Sequence, residues 1–398
     1  MNDFFDSYEK LKGDPIFALS GEADADPRPE KADLLIGVYK DADLHLVVFD
    51  SVKKAQHIIV DNEKDKNYLG IAGLESLVDA TGRLIFGSDG FERIQDRTCG
   101  LQALGGTGAL RLGADLLIQK TQAPLLLPNP TWSNHFNIFK RAGFTIAEYP
   151  YYDTEKQAYD HDALIAYLEK APKNSVVVLH GCCHNPSGDD PNIEQWEEIA
   201  TVCKKHMLIP FFDLAYLGFG EGINEDAQAI RLFAKMDLEF LVACSFSKNL
   251  SLYGERSAVL LAVTNPSASE KVKSQLMALA RANYSNPPRH AGLLAEKVLT
   301  DTELRRDWEK ELVGVRQRIA VMRTTLCEAL CERIPHMNFD HLTKRRGMFC
   351  LLHVTPEQAK ALRSKKGIYL SGSGRINLAA LNSKNVNYVA DALAAVLK

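Results

Sequence analysis

Lys248 is the residue whose type and setting point most directly to covalent chemistry. It lies in the stretch 245–256, which follows the apolar run 240–243. The run has the composition of a strand, and a lysine just past a strand end lies where open α/β sheets bind ligands. An amine in partly dry surroundings loses its proton more easily than one in water and can attack a carbonyl group. Taken alone, the residue fits an ordinary surface lysine better.

Asp213 is a second candidate, because it closes the apolar run Phe211-Phe212-Asp213. A buried aspartate at a strand end needs a cationic or hydrogen-bonding partner, since an unpaired one would cost several kcal/mol. Such a carboxylate could hold a proton on a heterocyclic nitrogen. The alternative is an aspartate that caps a helix or forms a turn.

A glycine-rich turn and three arginines are candidates for binding anions. Gly105-Gly106-Thr107-Gly108 opens directly into a predicted helix, where backbone N–H groups and the helix dipole favour a phosphate. A plain helix-entry turn is the alternative, and the lysine that a nucleotide P-loop needs is missing. Arg256, Arg281 and Arg375 could each meet a carboxylate or phosphate with two hydrogen bonds, although any one alone is more simply a surface arginine.

Two further motifs carry chemically versatile side chains. His180-Gly181-Cys182-Cys183-His184 has the residue types of a metal site, but it runs off a strand, so its histidines do not share a helical face. We therefore expect no metal ligands here or elsewhere. Asn185-Pro186-Ser187-Gly188 then predicts a tight turn in which the proline could be cis. Trp132 could stack on a flat ligand or belong to the core.

The elements that would position these residues alternate between strands and helices. We predict strands at 124–127, 144–149, 175–180, 208–213, 240–245 and 258–263, and helices at 109–120, 160–170, 193–205 and 226–234. Such alternation indicates a mostly parallel sheet with helices on both faces. A long helical region, 289–333, is interrupted only near Asp301. The polar stretch up to about residue 35, broken by three prolines, predicts an extended arm that could lie on a partner subunit.

Length and composition limit the possible functions. At 398 residues the chain is longer than one core usually supports, so two domains that share a cleft are expected. The formal charge of −4, from 47 basic and 51 acidic residues, gives no bias toward nucleic acid or an anionic membrane. No run is long enough to cross a bilayer, and the acidic start is unlike a signal peptide, so we expect a cytoplasmic protein. Its eight scattered cysteines are expected to be reduced thiols.

The candidate residues belong to longer segments that together resemble a known family. The segments are Gly37-Val38-Tyr39-Lys40-Asp41, Lys66-Asn67-Tyr68-Leu69-Gly70, Gly105-Gly106-Thr107-Gly108, Asn129-Pro130-Thr131-Trp132-Ser133-Asn134-His135, His180-Gly181-Cys182-Cys183-His184-Asn185-Pro186-Ser187-Gly188, Asp213-Leu214-Ala215-Tyr216, Ser245-Phe246-Ser247-Lys248, Tyr253-Gly254-Glu255-Arg256, Arg281-Ala282-Asn283-Tyr284-Ser285-Asn286-Pro287-Pro288, Gly347-Met348-Phe349 and Ser373-Gly374-Arg375-Ile376-Asn377. In order and combination they resemble the class I aspartate aminotransferases, which are pyridoxal 5′-phosphate enzymes of fold type I. The resemblance runs from about Asp14 to the C-terminus.

The resemblance implies a fold, a domain division and an assembly. The fold would be α/β, with a mostly parallel seven-stranded sheet in a large cofactor-binding domain, 46–314. A smaller α/β domain would combine 14–45 with 315–398, and 1–13 would form an N-terminal arm. The protein would be a homodimer with shared active sites, and its partners would be small molecules, namely amino acids and 2-oxo acids.

The resemblance also assigns roles to residues. Lys248 would carry the cofactor covalently and move the substrate proton, Asp213 would keep the pyridine nitrogen protonated, and Tyr216 would hydrogen-bond the ring oxygen. The remaining cofactor contacts would come from Gly106, Thr107, Trp132, His135, Asn185, Ser245, Ser247 and Arg256, with Tyr68 from the neighbouring subunit. The substrate contacts would come from Gly37, Trp132, Asn185, Phe349, Arg375 for the α-carboxylate and Arg281 of the partner for the side-chain carboxylate.

Two arginines so placed favour dicarboxylates, and the implied reaction is amino transfer between aspartate and 2-oxoglutarate. The aromatic aminotransferases form the closest alternative, because they also carry both arginines. Thr107, Asn67 and Asn286 favour the aspartate subgroup, whereas Phe246 and the stretch 253–256 also suit the aromatic one. A non-catalytic scaffold and a lyase or decarboxylase are the more distant alternatives. Leu217, Ser257 and Ser371-Gly372 depart from the usual pattern without removing a named catalytic group.

Overall fold

The structure is a computed structural model that describes residues 4–11 and 13–397. Residues 1–3 and 12 of the predicted N-terminal arm, and Lys398, lie outside the described residues. Within the described residues the α-helices are α1 (Pro15–Ala25), α2 (Asp50–Asn62), α3 (Glu75–Phe86), α4 (Ser88–Ile94), α5 (Gly105–Leu117), α6 (Asn134–Arg141), α7 (His161–Leu168), α8 (Ile193–His206), α9 (Ile223–Asp226), α10 (Gln228–Lys235), α11 (Pro266–Asn283), α12 (Arg289–Thr300), α13 (Thr302–Arg333), α14 (His341–Lys344), α15 (Pro356–Lys366) and α16 (Val386–Leu397). Short 3-10 helices cover Phe4–Ser7, Gln95–Arg97 and Leu378–Ala380.

The strands are β1 (Ala32–Asp33), β2 (Thr98–Leu104), β3 (Leu125–Asn129), β4 (Ile146–Pro150), β5 (Tyr152–Asp153), β6 (Ala158–Tyr159), β7 (Val176–His180), β8 (Ile209–Leu214), β9 (Phe240–Ser245), β10 (Ser257–Val263), β11 (Phe349–Leu351), β12 (Ile368–Tyr369) and β13 (Arg375–Asn377). Seven of these form a central sheet, in the order β2-β10-β9-β8-β7-β3-β4. Strand β10 runs antiparallel to β2 and β9, and the other neighbouring strands run parallel. The predicted α/β fold with a mostly parallel seven-stranded sheet is confirmed.

The central strands are buried on both faces, as their apolar composition predicts. In β7, Val177 and Leu179 pack into one hydrophobic cluster, whereas Val176 and Val178 pack into another on the opposite face. Successive side chains of a strand point to opposite faces, so a continuous apolar run needs helices on both sides. This sandwich holds the ends of β8 and β9 at one edge of the sheet. Asp213 and Ser245, near those ends, therefore lie at the same edge.

Outside the central sheet, the early and late parts of the chain pair with each other. Strand β1 pairs in parallel with β12, and β11 pairs antiparallel with β13. The register of the second pair sets Leu351 opposite Arg375 and Phe349 opposite Asn377. The predicted boundaries at 14–45, 46–314 and 315–398 remain a prediction.

The prediction of an extended arm up to about residue 35 was wrong, because Pro15–Ala25 forms helix α1. The Asp14 carboxylate accepts a hydrogen bond of 2.8 Å from the Ile16 N–H and so caps this helix. Proline fits the first helical turn, where its missing N–H would be unpaired anyway, so Pro15 starts a helix and does not break one.

Strand β2 was not predicted as a strand. Gly100 and Gln102 interrupt its apolar pattern, and its conformation depends on pairing with β10 along its full length. The long predicted helical region is confirmed as α12 and α13, which are separated at Asp301. No helix in residues 4–11 and 13–397 is both long and apolar enough to span a lipid bilayer.

Candidate active site

The carboxyl edge of the central sheet borders a cavity of about 430 Å³. Most of the residues that the sequence singled out line this cavity, although they come from widely separated segments. Those that line it are Gly37, Gly106, Thr107, Trp132, Asn185, Asp213, Tyr216, Ser245, Ser247, Lys248, Arg256, Phe349 and Arg375. The fold therefore brings together a lysine amine, a carboxylate, two guanidinium groups and several hydroxyls.

Lys248 lies three residues past the end of β9, as the sequence predicts. Its Nζ lies 5.3 Å from the centre of the Tyr216 ring. Burial lowers the pKa of the Lys248 amine; the charge of Asp213 opposes this change, and the charge of Arg256 adds to it. Burial also raises the pKa of the Tyr216 phenol, which therefore stays protonated at neutral pH. The cavity thus pairs a readily deprotonated amine with a neutral hydroxyl donor.

Asp213 begins a chain of polar groups at the cavity wall. Its Oδ2 lies 3.0 Å from His135 Nε2, and the other nitrogen of His135 lies 2.8 Å from Thr131 Oγ1. Thr131 Oγ1 lies in turn 3.1 Å from His180 Nε2. Burial alone raises the pKa of Asp213, but the His135 hydrogen bond and the charges of His135, His180 and Lys248 outweigh it, so the pKa lies below its ordinary value. The carboxylate therefore remains ionised at neutral pH.

An anion cradle lies where helix α5 begins. The N–H groups of its first turn, which includes Gly106 and Thr107, have no partner within the helix. Facing them, Ser245 Oγ donates to Ser247 Oγ at 3.2 Å, and Arg256 Nη1 donates to the same oxygen at 3.3 Å. Amide donors, hydroxyls and one guanidinium thus converge on one end of the cavity.

Glycine is required at the start of this cradle. Gly105 has a φ of +67°, and a Cβ on it would lie 2.2 Å from Arg256 Nη2. A side chain at this position would force the guanidinium to move. The alternative of a plain helix-entry turn does not account for this close approach.

Arg375 also lines the cavity and is only 9% exposed. Its Nη1 donates to Asn185 Oδ1 at 3.3 Å, and its Nη2 donates to the Leu35 carbonyl at 2.6 Å. The guanidinium carbon lies 4.4 Å from the centre of the Phe349 ring. Nε of Arg375 is buried and has no hydrogen-bond partner among the described residues. A guanidinium that lines the cavity is able to bind a carboxylate.

The backbone is restricted at two positions that lie near this arginine. A Cβ on Gly37 would lie 2.6 Å from Phe349 Cζ, so a glycine is needed where the chain passes that ring. The Asn185–Pro186 peptide bond is cis.

Trp132 lines the cavity and is half-buried. Its ring packs edge-on against His135, with ring centres 5.3 Å apart. The sequence had left open whether this residue belongs to the core or stacks on a ligand.

Three predicted site residues do not line the cavity. His135 is fully buried behind Asp213. Tyr68 is 87% exposed, and Arg281 is exposed near the end of α11, where its Nη1 donates to Ser285 Oγ. The resemblance assigns the last two of these residues, Tyr68 and Arg281, to a neighbouring subunit.

Sequence reasoning missed several residues at the cavity. Tyr253 lines it, and its hydroxyl accepts a hydrogen bond of 2.8 Å from the Tyr39 N–H. Thr131 links His135 to His180, and Asp14 lines the cavity. For Tyr253 a signal existed, because it lies between Lys248 and Arg256. For the contact of Thr131 with His180 there was none, since the two residues are 49 positions apart in the chain.

The chain is similar to known proteins over nearly its whole length. A family model described as aminotransferase class I and II matches residues 29–393. The aspartate aminotransferase of Escherichia coli (strain K12) is 42% identical over 396 residues, which cover 99% of this chain and 100% of that protein.

Two solved structures are also similar. An aromatic-amino-acid aminotransferase from Burkholderia pseudomallei, covalently bound to pyridoxal phosphate, has a TM-score of 0.96 and 41% identity and covers 99% of both chains. A psychrophilic aromatic amino acid aminotransferase from Psychrobacter sp. B6, cocrystallised with aspartic acid, has a TM-score of 0.97 and 40% identity, over 99% of this chain and 100% of that chain. The family match spans most of the chain and agrees with the resemblance in the sequence segments. The chain belongs to the class I and II aminotransferase family.

Proposed function

We propose that the protein is a pyridoxal 5′-phosphate-dependent aspartate aminotransferase. It would move the amino group of L-aspartate to 2-oxoglutarate in two half-reactions, giving oxaloacetate and L-glutamate. One observation carries the proposal. A lysine whose pKa is lowered by burial shares a cavity with an anion cradle, an ionised carboxylate and a buried arginine.

The donor set of the cavity fits this cofactor. The N-terminus of α5, Ser245, Ser247 and Arg256 suit a phosphate group, and the space beside Gly105 would be lost to any side chain. Asp213, ionised and braced by His135, suits a protonated pyridine nitrogen. When bound through Lys248, the cofactor supplies an electron sink for the bonds at the substrate's α-carbon.

The chain's own residues would then bind, orient and transfer protons. Once the substrate amine has displaced it from the cofactor, Lys248 Nζ, with its lowered pKa, would take the proton from the substrate's α-carbon as a general base. Tyr216, which remains protonated, and Asn185 donate hydrogen bonds that orient the cofactor ring. Trp132, at the cavity wall, covers one face of the ring.

Arg375, whose guanidinium lines the cavity, would bind the substrate's α-carboxylate. Arg281 of a second copy would bind the side-chain carboxylate. Leaving a guanidinium without its carboxylate costs more than one lost hydrogen bond, so such a site prefers dicarboxylates.

We further propose a homodimer with shared active sites. Tyr68 and Arg281 are exposed and stand outside the cavity of their own chain, which supports a role across a subunit boundary. The division into a large domain, 46–314, and a small domain, 14–45 with 315–398, belongs to the same proposal, as does a cytoplasmic location. In support of that location, the eight cysteines are free thiols, which suits a reducing compartment.

An aromatic aminotransferase is the second candidate, because both similar solved structures carry that name. Single-turnover rates with aspartate and with phenylalanine on one preparation separate the two. We expect aspartate to react faster. A clear preference for phenylalanine would assign the protein to the aromatic group.

A further inference from the structure

A largely buried ion pair joins the two segments that bring Asn185 and Phe349 to Arg375. Arg345 Nε lies 3.1 Å from Asp189 Oδ2. The Arg345 side chain has no exposed surface, and that of Asp189 is 19% exposed. Asp189 follows Asn185 by four residues, and Arg345 precedes Phe349 by four. The pair therefore connects the two segments just behind the groups that contact Arg375.

The rest of the Arg345 guanidinium is also engaged. Its Nη1 donates to the Leu351 carbonyl at 2.9 Å, and Leu351 lies opposite Arg375 in the β11–β13 pair. Its Nη2 donates to the Gln157 carbonyl at 2.9 Å and to the Tyr152 hydroxyl, both in the β5–β6 hairpin region. A single side chain thus connects the strand beside Arg375 to the hairpin and to Asp189.

The two segments also touch through their backbones. The Arg346 N–H donates to the Gly188 carbonyl at 2.9 Å. A Cβ on Gly188 would lie 2.7 Å from the Phe349 carbonyl oxygen, so the fit leaves no room for a side chain. A small displacement of either segment would therefore move Asn185 relative to Phe349.

The charges make this junction sensitive to substitution. Burial raises the pKa of Asp189, and the charge of Arg345 opposes that change. Removing one partner would leave the other charge poorly compensated in a largely dry environment, which is strongly destabilising locally. The ion pair lacks the orientation of a hydrogen bond, so its contribution is through charge. Neither residue lines the cavity, and any effect on substrate must pass through Asn185, Phe349 and Arg375.

We propose that Asp189 and Arg345 are positioning residues for Arg375. Their ion pair holds the segments that carry Asn185 and Phe349, and these set the place of the carboxylate-binding guanidinium. The proposal rests on the proposed function, in which Arg375 binds the substrate's α-carboxylate. It predicts that the pair controls carboxylate affinity while contacting neither substrate nor cofactor.

The test compares Asp189→Asn, Arg345→Gln and the double variant with the parent holoenzyme. Arg346→Gln is the matched control, since Arg346 is the next residue and pairs with Glu221 while both side chains are about half exposed, at 47% and 52%. Calorimetry gives the Kd of succinate, and steady-state assays give the KM for aspartate. Should Arg345→Gln fail to fold, Asp189→Asn decides alone, because it removes one charge of the pair and leaves the Arg345 contacts with Leu351 and Gln157 in place.

We expect each single variant to raise both constants roughly tenfold or more, the scale of effect of displacing a binding group by a fraction of an ångström. The double variant should resemble a single one, because the two residues act as a unit. The control should stay within about twofold of the parent, as is usual for exposed ion pairs. Constants are expressed per cofactor-loaded site and measured well below each Tm, so that a loss of folded protein alone does not change them.

Single variants whose Kd and KM stay within about twofold of the parent would overturn the proposal, and so would a double variant that shows the product of the single effects. Failure of the proposed function looks different. A parent that binds succinate but does not convert aspartate would refute the aminotransferase activity. The Kd values for succinate would then still show whether the Asp189–Arg345 pair positions Arg375. A parent that binds no succinate would refute both.

Discussion

His135 Nε2 lies 3.0 Å from Asp213 Oδ2, and the two residues are 0% and 8% exposed. The imidazole is itself held by Thr131, so the carboxylate has a partner of defined orientation. The resulting pKa, below the ordinary value for aspartate, keeps the negative charge in place over the pH range in which an enzyme would work. Such a charge stabilises a protonated heterocycle without any rearrangement during the reaction.

Asp213→Asn should therefore abolish most activity while it preserves shape. We expect the single-turnover rate with aspartate to fall by about 10²- to 10³-fold, the range seen when one preorganised electrostatic partner is removed. Thr131→Val is the matched control, since it removes the hydroxyl behind His135 but keeps the carboxylate, and its rate should fall less than about tenfold. An Asp213→Asn enzyme that keeps more than a tenth of the parent rate would contradict the assigned role.

The anion cradle predicts different effects for two glycines. Gly105→Ala would introduce a Cβ 2.2 Å from Arg256 Nη2 at a positive φ, whereas a Cβ on Gly254 would meet nothing within 4 Å. We expect Gly105→Ala to weaken cofactor binding by roughly tenfold or more through displacement of the guanidinium, and Gly254→Ala to leave it unchanged. Equilibrium dialysis of the apoprotein with pyridoxal 5′-phosphate measures both. Equal affinities would show that Arg256 does not contribute to the cradle.

The exposed Arg281 allows the shared active site to be tested by complementation. Lys248→Ala and Arg281→Leu should each be inactive toward aspartate as pure proteins. After the two variants are mixed, unfolded and refolded together, half of the dimers should be mixed, and each should contain one intact site. Activity should then return to roughly one quarter of the parent value. No recovery, with mixed dimers demonstrated by mass spectrometry, would argue against an arginine contributed by the partner.

His180 predicts a pH dependence of stability. Burial lowers the pKa of its imidazole from 6.5 to about 3, with a further contribution from His135. Between these values the unfolded chain binds the proton and the folded chain does not, so stability is full above pH 6.5 and is lost as the pH falls toward 3. One such group changes the free energy of unfolding by about 1.4 kcal/mol per pH unit. Urea unfolding at a series of pH values should give a flatter profile for His180→Asn, and parallel profiles would contradict the assignment.

The sequence predicted which residues line the cavity better than it predicted some of the local structure around them. The strands that end near Asp213 and Ser245 are continuous buried apolar runs, and such runs are recognisable from composition. Helix α1 was missed because Pro15 was interpreted as a break, although it starts the helix. Strand β2 was missed because its conformation comes from pairing with β10, a contact between residues more than 150 positions apart.

Contacts between distant segments were likewise not predictable from one sequence. Asp189 and Arg345, which form an ion pair, belong to none of the motifs recognised in the sequence. Thr131 contacts His180 only after the central sheet has formed. For Tyr68 and Arg281, by contrast, the sequence segments suggested a role at an active site. Neither residue lines the cavity of its own chain.

In the proposed reaction, Lys248 carries pyridoxal 5′-phosphate, and aspartate donates its amino group to this cofactor. The most direct test is to mix the purified holoenzyme with L-aspartate alone and record the visible spectrum. We predict that the absorption band of the lysine-bound cofactor is replaced by that of pyridoxamine phosphate, that oxaloacetate appears in equal amount, and that Lys248→Ala does neither. A spectrum that aspartate leaves unchanged, together with an identical spectrum for Lys248→Ala, would contradict the account.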